Sequence, residues 1–159
     1  MYEYGSRVLL KHGIEAIVVA GAMLCLTLVA LAQGPEIFSA RLTMMPIDET
    51  MRAQVTGSGS GSAVLEGVRL IVTGSFSGLQ GPATAAQLHQ GLATGIRGTA
   101  LFELTVAASA DGDFRGEIEL THDQVQSLQE GRLYIQIYSE TAPEGNLWGW
   151  LLPQEPVRE

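Results

Sequence analysis

The histidines of this chain are its first candidates for metal ligation. A zinc or copper site needs three or four nitrogen, sulfur or carboxylate ligands that converge on one point. The chain has three histidines: His12 precedes a long apolar run, His122 lies in a predicted capped turn, and His89 stands alone in a predicted strand. His89 is therefore predicted to be a hydrogen-bonded structural histidine, with metal ligation as the weaker alternative, and no cofactor is expected.

Other reactive residue types do not assemble a site either. Asp111 and Asp113 flank Gly112 and could bind calcium loosely, but calcium takes about six to eight oxygens, so a solvated hairpin turn is the favoured interpretation. No serine lies in a nucleophile elbow with a partner histidine and acid. The single cysteine, Cys25, follows Leu24 instead of the small residue that lipidation requires, and it excludes an intrachain disulfide. We expect that the protein is not an enzyme.

The apolar run Ala16–Ala32 carries no charge over its seventeen residues. This length is at the lower bound of a membrane-spanning helix, roughly 17 to 25 residues, and exceeds the roughly 7 to 15 residues of a signal-peptide core. Ala30-Leu31-Ala32 matches a signal-peptidase site, so cleavage after Ala32 remains the alternative. Arg7 and Lys11 precede the run, which keeps the N-terminus cytoplasmic and sends the remainder of the chain across the membrane.

We favour retention of this run as an anchor. Small residues at Ala16, Ala20 and Gly21 would let another helix pack closely against it. The predicted organisation is a cytoplasmic segment (1–15), a transmembrane helix or uncleaved signal anchor (16–32), a linker (33–36), a β-domain (37–152) and a tail (153–159). The expected location is a bacterial inner membrane, crossed once, with the domain in the periplasm.

Composition limits the partners and the fold class. The net charge is −8, and no basic stripe is present, which argues against nucleic-acid binding because phosphate neutralisation needs clustered Lys and Arg. Nineteen glycines suit a turn-rich all-β domain.

Two-residue alternation of apolar and polar side chains predicts strands from Ile37 onward. The run GSGSGS, Gly57 to Ser62, is predicted to be flexible or a weak strand edge. Thr121 and Gln124 form a capping-box pattern, so a short helix ending at Gly131 is predicted. The strand segments suggest an antiparallel two-sheet sandwich with Greek-key connections. They are Phe38–Met44, Ala63–Leu65, Val68–Phe76, Thr84–His89, Thr99–Val106, Phe114–Leu120, Arg132–Tyr138 and Asn146–Leu152.

Two segments resemble the CHRD domain, a family named for chordin and found in secreted or membrane-attached microbial proteins. They are AAQLHQGLATGIRGTALFEL, Ala85 to Leu104, and LTHDQVQSLQEGRLYIQIYSETAPEGNLWGWL, Leu120 to Leu151. The resemblance covers most of Phe38 to Leu152. It implies an immunoglobulin-like β-sandwich and an extracytoplasmic setting, whereas the biochemical activity of the family is poorly defined.

The chain departs from the family pattern at its polar positions. Gln87 replaces the first histidine of H-x-H, and only His89 is kept. Gln136 and Tyr138 replace the asparagine and histidine of L-Y-V-N-V-H-T, and E-I-R-G-Q becomes Asn146-Leu147-Trp148-Gly149-Trp150. Most of the polar side chains that could hold a metal or small ligand are therefore absent.

Strand parity predicts what replaced them. Leu133, Ile135 and Ile137 should face the core, so Tyr134, Gln136 and Tyr138 should face outward, together with Trp148 and Trp150 on the last strand. In an antiparallel hairpin Gln136 would lie near Trp148 and Tyr134 near Trp150. An inverted parity, or a loop covering these aromatics, is the alternative.

The main hypothesis is a non-catalytic, membrane-anchored accessory subunit. Its domain would use Tyr134, Gln136, Tyr138, Trp148 and Trp150 to dock on other subunits of a larger membrane complex, with a respiratory or photosynthetic complex as the expected kind of host. The rival is a secreted or periplasmic binding module, cleaved after Ala32, that uses the same aromatics for a small molecule or glycan. A metal carrier or enzyme using His89 ranks third.

Overall fold

A computed structural model describes residues 34–45 and 53–154. The predicted anchor, with Ala16, Ala20 and Gly21, and the cytoplasmic segment 1–15 lie outside the described residues, as do residues 155–159 of the tail. Within the two described ranges, no helix combines the length and the apolar character needed to cross a membrane.

The described residues form nine strands and one helix, and the predicted all-β class is confirmed. Every predicted strand segment has a counterpart, and the strands pair antiparallel throughout. The elements are β1 Glu36–Met44, β2 Ser58–Glu66, β3 Arg69–Ser77, β4 Ala83–Gln90, β5 Thr99–Val106, β6 Gly112–Glu119, α1 His122–Gln129, β7 Leu133–Ser139, β8 Leu147–Trp150 and β9 Leu152–Pro153.

The strands close into a ring. Their order is β2-β3-β6-β5-β4-β7-β8-β1-β9, and β1 also pairs with β2. Long pairings define two broad sheets: sheet A contains β1, β2, β3 and β6 with β9 at its edge, and sheet B contains β4, β5, β7 and β8. Two short seams join the sheets, because β1 also pairs with β8 and β5 also pairs with β6. The domain is thus a closed antiparallel barrel, whereas the predicted sandwich consisted of two separate sheets.

Most of the GSGSGS run is an integral strand, which corrects the prediction of a flexible segment or a weak strand edge. Its residues from Ser58 onward belong to β2, which pairs with β1 on one side and β3 on the other. Gly59 and Gly61 face inward: a Cβ on Gly59 would lie 3.1 Å from Leu42 Cδ1, and a Cβ on Gly61 would lie 2.8 Å from Ile135 Cδ1 and 3.3 Å from Phe114 Cζ. Since large core side chains occupy the space in front of β2, only glycine fits, and backbone pairing with both neighbours orders the run.

Alternation shifts at the end of β1. Phe38, Ala40 and Leu42 are buried, in step with the alternating apolar residues of the sequence, but Met44 is exposed and Met45 is buried instead. The shift occurs where β1 leaves β2 and pairs with β8 through Thr43 and Met44.

One hydrophobic core fills the barrel, and the helix closes part of one end. Thr121 caps α1 and Gln124 completes the predicted capping box, and Gly131 follows the helix with a φ of 68°, so the predicted short helix is confirmed. Its Leu128 side chain is fully buried. The largest fully buried apolar residues include Phe38, Leu42, Leu70, Leu88, Phe114, Leu128, Leu133, Ile135, Ile137, Leu147 and Leu151.

Candidate functional site

The outer face of sheet B carries the predicted aromatic residues. In β7 the side chains of Leu133, Ile135 and Ile137 are fully buried in the core, so the alternate residues project from the other side of the sheet. β8 pairs with β7 so that Trp150 lies opposite Tyr134 and Trp148 lies opposite Gln136. Both the predicted parity and the predicted pairing are confirmed.

The neighbouring strand β4 extends this face with two polar residues. His89 lies opposite Tyr134, and Gln87 lies opposite Gln136. Two rows therefore cross the outer face of sheet B: the row His89, Tyr134, Trp150 and the row Gln87, Gln136, Trp148.

Five rings form a continuous aromatic cluster, consisting of His89, Tyr134, Tyr138, Trp148 and Trp150. Tyr134 is its centre. Its ring stacks on His89 with centroids 4.9 Å apart, lies 4.5 Å from Trp150, and meets Trp148 edge-on at 5.9 Å. The two tryptophans form a T-shaped pair at 5.9 Å. Such offset and edge-on geometries are favourable for rings with a quadrupole.

Two loops from opposite ends of the barrel cover the middle of this face. In the loop 91–98, Gly98 donates its backbone N–H to the Tyr134 hydroxyl at 3.1 Å. In the loop 140–146, the carbonyl oxygen of Glu144 accepts from Gln136 Nε2 at 3.3 Å and from Arg97 Nη2 at 3.3 Å. Arg97 therefore ties the two loops together above Gln136.

The covering loops correct the predicted contact surface. Tyr134 and Gln136 are each only 1% exposed, so the predicted alternative in which a loop covers the aromatics applies to these two residues. Tyr138, Trp148 and Trp150 are half-buried and reach the surface. The accessible part of the predicted set is this trio: Tyr134 contacts the two tryptophans from below, and His89 contacts Tyr138.

His89 is a buried and hydrogen-bonded histidine, as predicted. Its Nδ1 lies 3.3 Å from the Gly98 carbonyl oxygen, which can only accept, so Nδ1 carries the proton. Its Nε2 then accepts from the Tyr138 hydroxyl at 3.0 Å. Gln87 Oε1 also lies 3.2 Å from Nε2, but an amide oxygen only accepts, so it forms no hydrogen bond with Nε2 in this tautomer. Because both ring nitrogens are engaged by neighbours, His89 is placed to hold β4, β7 and the loop 91–98 together.

Burial lowers the pKa of His89, because an imidazolium loses hydration in this environment. The Gly98 carbonyl opposes this effect and Arg97 adds to it. The pKa of Tyr138 is raised, chiefly by its burial. Both shifts favour the neutral forms, which is consistent with a hydroxyl that donates to an uncharged imidazole.

The lowered pKa of His89 predicts a pH-dependent stability. The unfolded chain takes up a proton near its ordinary pKa of about 6.5, whereas folded His89 resists protonation. The contribution of neutral His89 to the free energy of unfolding is therefore complete above a pH of about 6.5. It is lost as the pH falls from the unfolded pKa to the folded pKa, by about 1.4 kcal/mol per unit of pKa lowering. Urea unfolding of the full chain in mild detergent, followed by tryptophan fluorescence at about pH 5 and about pH 7.5, measures the difference.

Two substitutions assign this pH effect to the correct histidine. His89→Gln should flatten the dependence between the two pH values while lowering stability at both, because it also removes the stack on Tyr134. His122→Gln is the matched control, since His122 is exposed at the start of α1 and leaves His89 in place. Equal slopes for His89→Gln and the unsubstituted chain would contradict the assignment.

Metal-ligating and acidic residues do not gather around this face in the described ranges. No group of three or more His, Cys, Asp and Glu suited to a metal ion occurs there. The predicted acidic pair lies elsewhere: Asp111, in the turn between β5 and β6, accepts the Gly78 backbone N–H at 2.9 Å through Oδ1, and Asp113 lies within β6.

Family membership follows from a comparison with known domains. The CHRD domain profile matches residues 38–151, which is most of the chain and nearly all of the barrel. The chain belongs to the CHRD family. Searches of curated proteins and of solved structures gave no significant match.

The CHRD domain of this chain brings its aromatic cluster together from three adjacent strands of sheet B. Gln87, His89, Gln136 and Tyr138 converge on adjacent strands, and Trp148 and Trp150 join them from β8.

Sequence reasoning missed the loops of this CHRD domain. The segment LATGIRG contains three signals for a loop that lies close to the sheet, namely Gly95, Gly98 and the single cation Arg97. A side chain on Gly98 would collide with the Gln90 carbonyl, so this glycine lets the loop pack tightly. Neither its proximity to Tyr134 nor the bond from Arg97 to the Glu144 carbonyl was apparent from spacing.

Proposed function

We propose that this protein is a non-catalytic accessory subunit, anchored in the membrane by Ala16–Ala32, whose CHRD domain docks on a larger membrane complex from the extracytoplasmic side. The observation that carries the proposal is the surface trio Tyr138, Trp148 and Trp150, which is half-buried and rests on the buried residues Tyr134 and His89.

Rigid aromatics suit a docking role for two physical reasons. Tyr and Trp are enriched at protein interfaces, where they give large contact areas. Side chains already fixed by packing lose little conformational entropy on binding, and both tryptophans are held by contacts with Tyr134 and with each other.

The chemistry of the polar residues supports binding over catalysis. His89 has neighbours at both ring nitrogens, so neither is free to act as a general base. Gln136 has a buried Oε1 without a hydrogen-bond partner among the described residues, and its position beneath the loop 140–146 removes it from a surface partner. Family membership supports an extracytoplasmic setting for the domain.

Exchanging the two tryptophans tests the docking face. The double variant Trp148→Arg, Trp150→Gln should lose its association with other membrane proteins during purification in mild detergent, because it replaces the apolar contact area with polar groups. Co-purifying proteins are identified by mass spectrometry, and far-UV circular dichroism checks that the barrel is still folded.

A matched control places the same side chains on the opposite side of the barrel. Thr73→Arg, Ser75→Gln changes two exposed residues of β3, on the outer face of sheet A, and should keep the association. Conservative Trp148→Phe, Trp150→Phe should keep most of it. Undiminished association of the folded Arg and Gln variant would show that the docking face lies elsewhere.

The mass of the same preparation tests the anchor. The full mass, including residues 1–32, is expected from the membrane fraction. A chain that lacks these residues and is recovered without membrane would favour the rival, a secreted or periplasmic binding module that uses the same aromatic trio for a small molecule or glycan.

A further inference from the structure

One end of the barrel contains the point where the chain enters the domain. Strand register places the start of β1 beside the end of β2, since Glu36 pairs with Leu65. The registers of the other strand pairs place four more features at this end of the barrel. They are the turn between β2 and β3, the segment between β6 and β7 that contains α1, the loop 91–98, and the end of β8. Gln129 at the end of α1 bonds to the Glu36 carboxylate at 3.0 Å. We call this end the entry end.

Exposed large apolar side chains concentrate at the entry end. Of the six in the described ranges, Met44 alone lies at the opposite end. Leu92 is the most exposed, at 83%. The five at the entry end are Ile37, Val68, Leu92, Ile96 and Leu152. Isolated exposed leucines are ordinary, but apolar side chains gathered on one surface mark an interaction site.

Four of these residues lie on connected segments. Leu152 of β9 lies against Gly131, and the Gly131 carbonyl accepts from Thr94 of the loop 91–98 at 2.8 Å. On its other side, β9 pairs with β1, and the Ile37 carbonyl accepts from the Gln154 backbone N–H. An apolar edge therefore runs from Ile37 through Leu152 to the loop that carries Leu92 and Ile96. We call these four residues the apolar rim.

We propose that the apolar rim inserts into the interface of the lipid bilayer, so that the barrel stands on the membrane with its entry end down. This inference rests on the proposed anchor. Only residues 33–35 separate Ala32 from β1, and an extended chain spans at most about 3.5 Å per residue. An anchor that ends at Ala32 therefore keeps the start of β1 close to the membrane surface.

Polar residues at the entry end are compatible with this placement. The Glu36 carboxylate is bonded by Gln129, and Arg132 forms an ion pair with Glu130 at 2.7 Å. Both groups contact α1 or the turn that follows it, so they can remain hydrated at headgroup level while the aliphatic rim enters the acyl boundary, where apolar residues of interfacial segments reside.

Fluorescence quenching by lipids tests the insertion. The full chain, with Cys25→Ser to remove its single cysteine, receives a cysteine at Leu92 or at Met44, and each is labelled with an environment-sensitive fluorophore. Met44 is the matched control, because it is an exposed apolar residue at the far end. The protein alone is reconstituted into phosphatidylcholine vesicles that contain lipid with a nitroxide near the top of the acyl chain.

The probe at position 92 should be blue-shifted and should lose most of its fluorescence, whereas the probe at position 44 should be unaffected. If the chain is integral to the vesicles but both probes remain unquenched, the insertion is wrong and the anchor stands. If an alkaline wash removes the chain from the vesicles, the anchor itself fails. If the probe at 92 is shielded only in native membranes and without lipid quenching, the rim docks on protein, which also overturns the proposal.

Discussion

Gly74→Ala is expected to destabilise the barrel by about 3 kcal/mol, the upper end for overpacking a core. A Cβ on Gly74 would overlap the Phe114 ring and the Ser60 carbonyl oxygen. The carbonyl belongs to the neighbouring strand β2, which is paired on both sides and cannot retreat without breaking ladder hydrogen bonds. Thermal unfolding of the full chain in mild detergent should show a fall in Tm of roughly 10 °C.

Comparison with a second glycine, Gly61, distinguishes a clash with a side chain from a clash with the backbone. Gly61→Ala places a methyl group 2.8 Å from Ile135 Cδ1, an atom that Ile135→Val removes. In a double-mutant cycle the valine should recover much of the loss at position 61 and none of the loss at position 74. Gly34→Ala is the control, because a Cβ there meets nothing within 4 Å. A Gly74→Ala variant as stable as Gly34→Ala would contradict the packing described for β2 and β3.

Tyr134→Ala is expected to cost about 3 to 5 kcal/mol, as for other buried aromatic truncations. Tyr134 is 1% exposed and contacts His89, Trp148 and Trp150. Its loss should also release the loop 91–98, because the Tyr134 hydroxyl is the partner of the Gly98 N–H. Urea unfolding measures the free energy, and near-UV circular dichroism reports the packing of the tryptophans.

The tryptophan signal is specific for this cluster, because the chain contains only two tryptophans and both belong to it. Tyr134→Phe keeps the ring and removes the hydroxyl, so it should retain the near-UV spectrum at a cost of about 1 to 2 kcal/mol. If Tyr134→Ala left the near-UV spectrum unchanged, Tyr134 would not be the support of Trp148 and Trp150.

The two proposals fit one orientation of the domain. With the entry end on the bilayer, the strands of sheet B run away from the membrane, and the trio Tyr138, Trp148 and Trp150 faces sideways. A sideways face meets neighbours that lie in the same membrane, which is what docking on a larger complex requires. The quenching and co-purification experiments test these two surfaces separately.

The local sequence pattern was sufficient to predict the strands, the helix and the residues that β7 and β8 contribute to the site. Alternation in β7 predicted which residues face away from the core, and hairpin geometry predicted that Trp148 lies opposite Gln136, because side-chain direction repeats every two residues along a strand. Thr121 and Gln124 specified the start of α1 through contacts only three residues apart.

Contacts between distant segments were decided only by the tertiary structure. The GSGSGS run has no apolar side chains whose alternation could predict a strand, and it is ordered because β1, β3 and the Phe114 ring surround it. Tyr134 and Gln136 face outward by sequence parity but are buried, since Gly98 and Glu144 reach over them from loops at opposite ends of the barrel. Parity is a local property of the backbone, whereas burial depends on which distant loops fold back across the sheet.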